Sequence, residues 1–130
     1  MILKTVLAIS LIFNILAYPE GEYVPSAPEI IKVYTGIPEE GNWVRVPKGT
    51  EELTIHVKAI NTETVLFWLI PTGTQTWSER KLIGYDIQNG KDNKFSITWK
   101  VPKQLHDHLK VQALGENGIV SSTLNITLAP

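Results

Sequence analysis

The chain of 130 residues contains no cysteine. That absence excludes an antibody-type interstrand disulfide, a thiolate metal site, a cysteine nucleophile and lipoprotein acylation. The fold must therefore be held by core packing, which a domain of roughly 100 residues can supply. An excess of either charge is missing too: 12 Lys and Arg stand against 13 Asp and Glu, for a formal net charge of −1. Nucleic-acid binding needs a strongly basic face, so that partner class is excluded. The balance gives no attraction to an anionic membrane either, and a cleaved leader would take Lys4 with it. Helical periodicity is the third absence. After the amino-terminal run, no apolar residues recur at three- and four-residue spacing, which leaves period-two patterns to define the domain.

What is present begins with a leader. Lys4 precedes Thr5–Ala17 (TVLAISLIFNILA), an almost unbroken apolar run weakened by Asn14. Its length suits a signal-peptide core and falls short of the ~20 residues needed to cross a bilayer. Residues 1–17 read as a signal peptide, with retention as a short anchor and a buried first strand as alternatives. Tyr18 stands where a bacterial lipoprotein would carry its acylated cysteine. The expected location is secreted or cell surface and envelope, with membrane contact only through an uncleaved leader. Residues 18–28 (YPEGEYVPSAP) then form an extended linker, because proline forbids helix and disfavours sheet pairing. The domain proper is expected over 29–130.

Within it, Glu29–Thr35 reads as a strand closed by Gly36 and Pro38. Asn42–Val46 reads as a short edge segment. Leu53, Ile55, Val57 and Ala59 alternate with polar neighbours, the mark of a half-buried strand. Val65–Ile70 (VLFWLI) is apolar throughout and ends at Pro71. A polar hairpin over Thr74–Arg80 contains Trp77, and a short strand follows over Lys81–Asp86. Gln88-Asn-Gly90 marks a tight turn. Phe95, Ile97 and Trp99 form one inward row, Leu109, Val111 and Ala113 another, and Leu124, Ile126 and Leu128 the last. Strands recurring about every ten residues point to an all-β, immunoglobulin-like two-sheet sandwich of about seven strands.

The order of these pieces resembles the bacterial immunoglobulin-like (fibronectin-III-like) domains of secreted and surface proteins. The resemblance rests on Leu53-Thr-Ile-His-Val-Lys-Ala59, Val65-Leu-Phe-Trp68, Leu82-Ile-Gly84, Phe95-Ser-Ile-Thr-Trp99 and Val111-Gln-Ala-Leu-Gly-Glu-Asn-Gly118. It implies a non-enzymatic recognition or spacer role outside the cell, and no particular ligand. The sequence departs from that pattern at Gly115, where the family usually carries an acidic residue, and in the longer hairpin around Trp77.

Chemistry-bearing groups are sparse. His106-Asp-His108 offers two imidazoles, but the reading preferred is a solvated turn before Leu109, since two histidines alone bind a metal weakly. His56 alternates outward from its strand. Asp86 and Asp92 flank Asn89-Gly90 without the ligand spacing of a calcium loop, so they read as turn residues. Glu39-Glu40 and Glu51-Glu52 are adjacent on extended chain and face opposite ways, which suits neither for acid–base work. Asn125-Ile-Thr127 fits an N-glycosylation acceptor. No catalytic group, cofactor site or metal site is expected.

The better lead is apolar. With Val65, Phe67 and Leu69 inward, Leu66, Trp68 and Ile70 point out of the sheet, a larger apolar row than a soluble monomer normally shows. It is covered by the linker or the Trp77 hairpin, or it is an interface for a partner or second copy, or the parity is inverted with Trp68 in the core. The reading that follows is a non-catalytic envelope binding or assembly module using Leu66, Trp68 and Ile70 for protein contact or self-association. Trp77 and Arg80 would make a loop contact. The alternative is a polysaccharide-binding module with Trp77, Trp43 and Tyr85 as stacking platforms.

Overall fold

The computed structural model describes residues 26–73, 75–90 and 92–130. The expected signal peptide and residues 18–25 of the linker lie outside the described residues. Nine strands occur among those described: β1 (Glu29–Tyr34), β2 (Glu39–Glu40), β3 (Trp43–Val46), β4 (Glu52–Ile60), β5 (Thr64–Pro71), β6 (Lys81–Ile87), β7 (Lys94–Lys100), β8 (His106–Gly115) and β9 (Gly118–Leu128). A single 3-10 turn, Trp77–Glu79, lies between β5 and β6.

The strands form two sheets. One has six strands in the order β2-β3-β9-β8-β5-β6, and the other has three in the order β1-β4-β7. All pairings are antiparallel except β3 with β9, which run parallel from Trp43 opposite Asn125 to Val46 opposite Leu128. The core lies between the sheets. The large sheet contributes Val44, Val46, Val65, Phe67, Leu109, Val111, Ala113, Leu124 and Ile126, all buried. The small sheet contributes Leu53, Ile55, Val57, Ala59, Phe95 and Trp99. These are the inward rows of period-two strands, each residue removing apolar surface from water.

The all-β, two-sheet architecture is as the alternation predicts, and its detail is not. Asn42–Val46 is no edge segment: β3 sits between β2 and β9, and its end is sealed by the Ala129 N–H donating to the Val46 carbonyl at 2.8 Å. His106-Asp-His108 is not a turn but the first turn-free pairing of β8, with His106 opposite Thr127 and His108 opposite Asn125. The last strand begins at Gly118 rather than Leu124. Polar residues on the solvent side of both strands hid the pairing, because alternation is legible only where one face is apolar.

One irregularity sets a whole face. Between Ile30 and Lys32 the pairing of β1 with β4 shifts by one residue at a β-bulge. Ile30 lies opposite Ala59 and Val33 opposite Val57, so both reach the core side. In a regular strand with Ile31 in the ladder and no bulge, Lys32 and Tyr34 would share the parity of Ile30 and point inward. With the bulge, Lys32 stands opposite Lys58 and Tyr34 opposite His56, on the solvent side.

Candidate functional site

A gathering of polar and aromatic side chains lies on the outward face of the large sheet. Register places it there. On β5, Val65 and Phe67 are buried opposite Ala113 and Val111 of β8. Leu66, Trp68 and Ile70 therefore face outward, opposite Gln112, Lys110 and His108 respectively. Across the other edge of β5, Tyr85 stands opposite Leu66 and Leu82 opposite Trp68.

Trp68 is anchored by a hydrogen bond from its indole Nε1–H to the Gln112 Oε1 at 2.6 Å. The chain then leaves β5 and folds back over it. The Thr76 hydroxyl donates to the Pro71 carbonyl at 2.7 Å, and the Glu79 and Arg80 amides donate to the carbonyls of Thr76 and Trp77. This turn lays Trp77 edge-on against Trp68, with ring centroids 5.7 Å apart and planes inclined at 62°. Edge-to-face contact is the arrangement favoured by aromatic quadrupoles. Ile70 is only 8% exposed as a result of its surroundings at the end of β5, whereas Trp77 itself remains 39% exposed.

Two cations converge on this pair. The Arg80 guanidinium carbon lies 4.2 Å from the Trp77 ring centroid and 5.0 Å from that of Trp68. The Lys110 Nζ lies 4.6 Å from the Trp77 ring. Arg80 also donates from its guanidinium to the Trp77 carbonyl at 3.1 Å, which fixes its approach. Among the described residues the only ion pair is Arg45 with Glu40 at 3.6 Å, so neither Arg80 nor Lys110 is neutralised by a carboxylate. Cations stacked on indole faces retain their in-plane or outward N–H groups for an acceptor.

Of the residues singled out in the sequence, the structure brings together Trp68, Trp77 and Arg80. It keeps Trp43 and Tyr85 apart from them. Trp43 lies on β3 and stacks on His106 at 4.6 Å and 13°, with β9 and β8 standing between β3 and β5. Tyr85 is 60% exposed on β6 beside Leu66. Lys110 and Gln112 were not among the candidates. Their outward parity is legible from Leu109, Val111 and Ala113, but their position opposite Trp68 and Leu66 comes from pairing between distant strands.

The same face does not make a metal centre. The His106 Nδ1 pairs with the Thr127 hydroxyl at 3.1 Å and the His108 Nδ1 with the Asn125 Oδ1 at 2.7 Å. The third histidine, His56, is on the small sheet and stacks with Tyr34 at 4.9 Å. No group of three or more His, Cys, Asp or Glu side chains gathers among the described residues. A separate open cleft of about 920 Å³ lies between the β3–β4 turn, the end of β7 and the end of β9, lined in part by Lys48, Lys103, Val101 and Leu128. It shares no residue with the aromatic patch.

No protein-family model matches the chain, and no curated protein matches it in sequence. Its backbone is similar to that of the superoxide reductase (neelaredoxin) from Ignicoccus hospitalis, with a TM-score of 0.53 and 12% identity over 85% of this chain and 89% of that one. A variant of the same protein gives a TM-score of 0.51 at 10% identity over 81% and 82%. An engineered protein matches at a TM-score of 0.50 and 16% identity, over 90% of this chain and 22% of that one. At such identities the likeness carries the fold alone.

These likenesses correct three expectations. The resemblance to bacterial immunoglobulin-like domains is overturned: the fold neighbours are superoxide reductases, whose β architecture is a different one. Alternation and turn spacing are common to many two-sheet folds, and the order of sheet pairing that separates them is not a local property. The non-catalytic cell-surface binding or assembly role, argued from that resemblance and from the outward apolar row, is overturned with its polysaccharide-binding alternative by the same fold neighbours. The exclusion of an enzyme falls too, since the neighbours are named as enzymes.

Proposed function

We propose that this chain takes up a small anion on the outward face of the large sheet, at the patch formed by Trp68, Trp77, Arg80 and Lys110. The observation that supports the reading best is the convergence of Arg80 and Lys110 on one indole ring, with no carboxylate among the described residues paired to either. Arg80 commits one guanidinium nitrogen to the Trp77 carbonyl and keeps the rest of its donor fork for an oxyanion. Lys110 adds a point charge on the neighbouring strand. The fold neighbours are named for superoxide, itself a small anion, and this agreement in charge favours the same reading.

Reduction of superoxide needs a redox centre. The residues do not fit a centre built on imidazole and thiolate ligands: the chain has no cysteine, and His56 stands on the other sheet from His106 and His108. Arg80 and Lys110 are therefore assigned capture and orientation of the anion, and no electron-transfer step is derived from them.

The test is a titration of intrinsic tryptophan fluorescence with inorganic phosphate and with bicarbonate. A saturable change in the wild-type chain, abolished in Arg80→Gln, weakened in Lys110→Gln and retained in the surface control Lys81→Gln, is the expected result. An Arg80→Gln protein that responds like wild type would sink the proposal.

A further inference from the structure

The outward face of the small sheet carries a second, unrelated feature. Lys32 of β1, Lys58 of β4 and Lys94 of β7 are cross-strand partners in a single row, with Lys32 opposite Lys58 and Lys58 opposite Lys94. All three are exposed. With strands about 4.8 Å apart, the row spans roughly 10 Å. Like charges directly opposite one another destabilise a sheet. None of the three joins an ion pair, the only one among the described residues being Arg45 with Glu40. Glu29, on the same strand as Lys32, lies opposite Ile60, Asp92 accepts the Lys94 amide at 3.1 Å, and neither makes an ion pair with the row.

The other end of the same face is built differently. There Glu52 stands opposite Lys100, and the Thr54 and Thr98 hydroxyls hydrogen-bond at 3.1 Å. Positive charge is thus concentrated at one end of a sheet in a chain whose net charge is −1. Beside the row lie the stacked Tyr34 and His56 rings, and Lys32 rests its Nζ 4.7 Å from the Tyr34 centroid. Tyr34 is 39% exposed, and the bulged Ile31 is 48% exposed. A flat cationic row bordered by an exposed aromatic ring and an exposed aliphatic side chain matches a membrane interface, where amphipathic rings sit at headgroup level and lysines meet anionic lipid.

We infer that the outward face of β1-β4-β7 lies against a lipid surface bearing anionic headgroups. Lys32, Lys58 and Lys94 meet the phosphates, and Ile31 and Tyr34 enter the interfacial layer. Chain order agrees with that orientation. The apolar run Thr5–Ala17 ends eleven residues before β1, the strand at the edge of this face. Eleven residues reach at most about 40 Å, so a run held in a bilayer keeps β1 near it. The bulge at Ile31 is what makes the face: it turns Lys32 and Tyr34 to the solvent side.

The experiment is co-flotation of the full chain with vesicles of phosphatidylcholine alone and of equal parts phosphatidylcholine and phosphatidylglycerol. Any contribution of the apolar run is present on both, so the difference between them reports the lysine row. Wild type is expected to prefer the anionic vesicles, with the preference falling at high salt. Each Lys→Gln change in the row should weaken that preference by about fivefold, and the triple variant by roughly a hundredfold. Lys32→Arg, Lys58→Arg and Lys94→Arg together should preserve it. The charge-matched triple Lys48→Gln, Lys81→Gln, Lys103→Gln should leave it within a few-fold of wild type. Equal binding to both vesicle types overturns the inference, as does a row triple that binds like the control triple. Displacement from the vesicles by inorganic phosphate at the same ionic strength as an ineffective sodium chloride control also overturns it, and points to a free-phosphate site.

Discussion

Phe67 and Trp68 are adjacent on one strand and do opposite work. Phe67 is fully buried between the sheets, and Trp68 lies on the solvent side, held by Gln112 and roofed by Trp77 and Arg80. Period-two geometry alone separates them. Gly115 shows a different kind of constraint. A Cβ there would overlap the Asn61 carbonyl oxygen, and Asn61 is itself held in the left-handed region at φ 55° with its side-chain amide donating to the Ala27 carbonyl. The residue is glycine because backbone, not solvent, fills the space. Gly115→Ala is expected to lower stability by about 1–3 kcal/mol, the usual cost of overpacking, as read by urea unfolding. A change below a few tenths of a kcal/mol would show that the Asn61 loop yields freely.

At the scale of the element, the bulge in β1 decides more than any single side chain. Deleting Ile31 closes the bulge: Lys32 then follows Ile30 in the ladder as Lys58 precedes Ala59, and the side chains of β1 keep their faces. The expected outcome is a cooperative urea-unfolding transition retained within about 2 kcal/mol of wild type. Loss of that transition would mean that the bulge does more than set parity and is needed for β1 to dock on the core. The 3-10 turn at Trp77–Glu79 is the other decisive element, because it brings Trp77 and Arg80 back over β5. Sequence reading finds no core duty for Trp77 and offers its hairpin as one of several covers for the Leu66, Trp68 and Ile70 row, without the means to choose among them. The contact of Trp77 with Trp68 depends on five residues of loop closing through Thr76 and Pro71, not on any pattern of hydropathy.

At the scale of the molecule, the two sheets are tied along one side by more than apolar packing. The Asp86 carboxylate on β6 accepts the Ser96 amide of β7 at 2.8 Å, linking the edge of the large sheet to the edge of the small one. Gly84, close by on β6, gives Ile97 room to approach, since a Cβ there would come within 3.0 Å of the Ile97 side chain. A charge-assisted hydrogen bond contributes about 1.5–3 kcal/mol. Asp86→Ala should therefore lower global stability by that order and speed hydrogen exchange of the Ser96 amide selectively. Unchanged exchange at Ser96 would show that the edges stay joined without the carboxylate. Closure along this side leaves two outward faces with different characters: an aromatic and cationic patch on the large sheet and a lysine row on the small one.

The sequence by itself determined that the domain is all-β and most of the inward rows that form its core, though not Val44, Val46 or Leu105. Leu53 to Ala59, Phe95 to Trp99 and Leu109 to Ala113 alternate so strictly that their inward rows follow from the pleat alone. It left open whether Leu66 and Trp68 face away from that core, which the pairing of β5 with β8 decided. Tertiary structure decided the rest: which strands are neighbours, the parallel pairing of β3 with β9, the meeting of Trp68 with Lys110 and Arg80, and the alignment of three lysines. The reason is physical. Parity is a property of consecutive residues, whereas register joins residues such as Lys32, Lys58 and Lys94 that are far apart in the chain, and their meeting is settled by the packing of the core behind them.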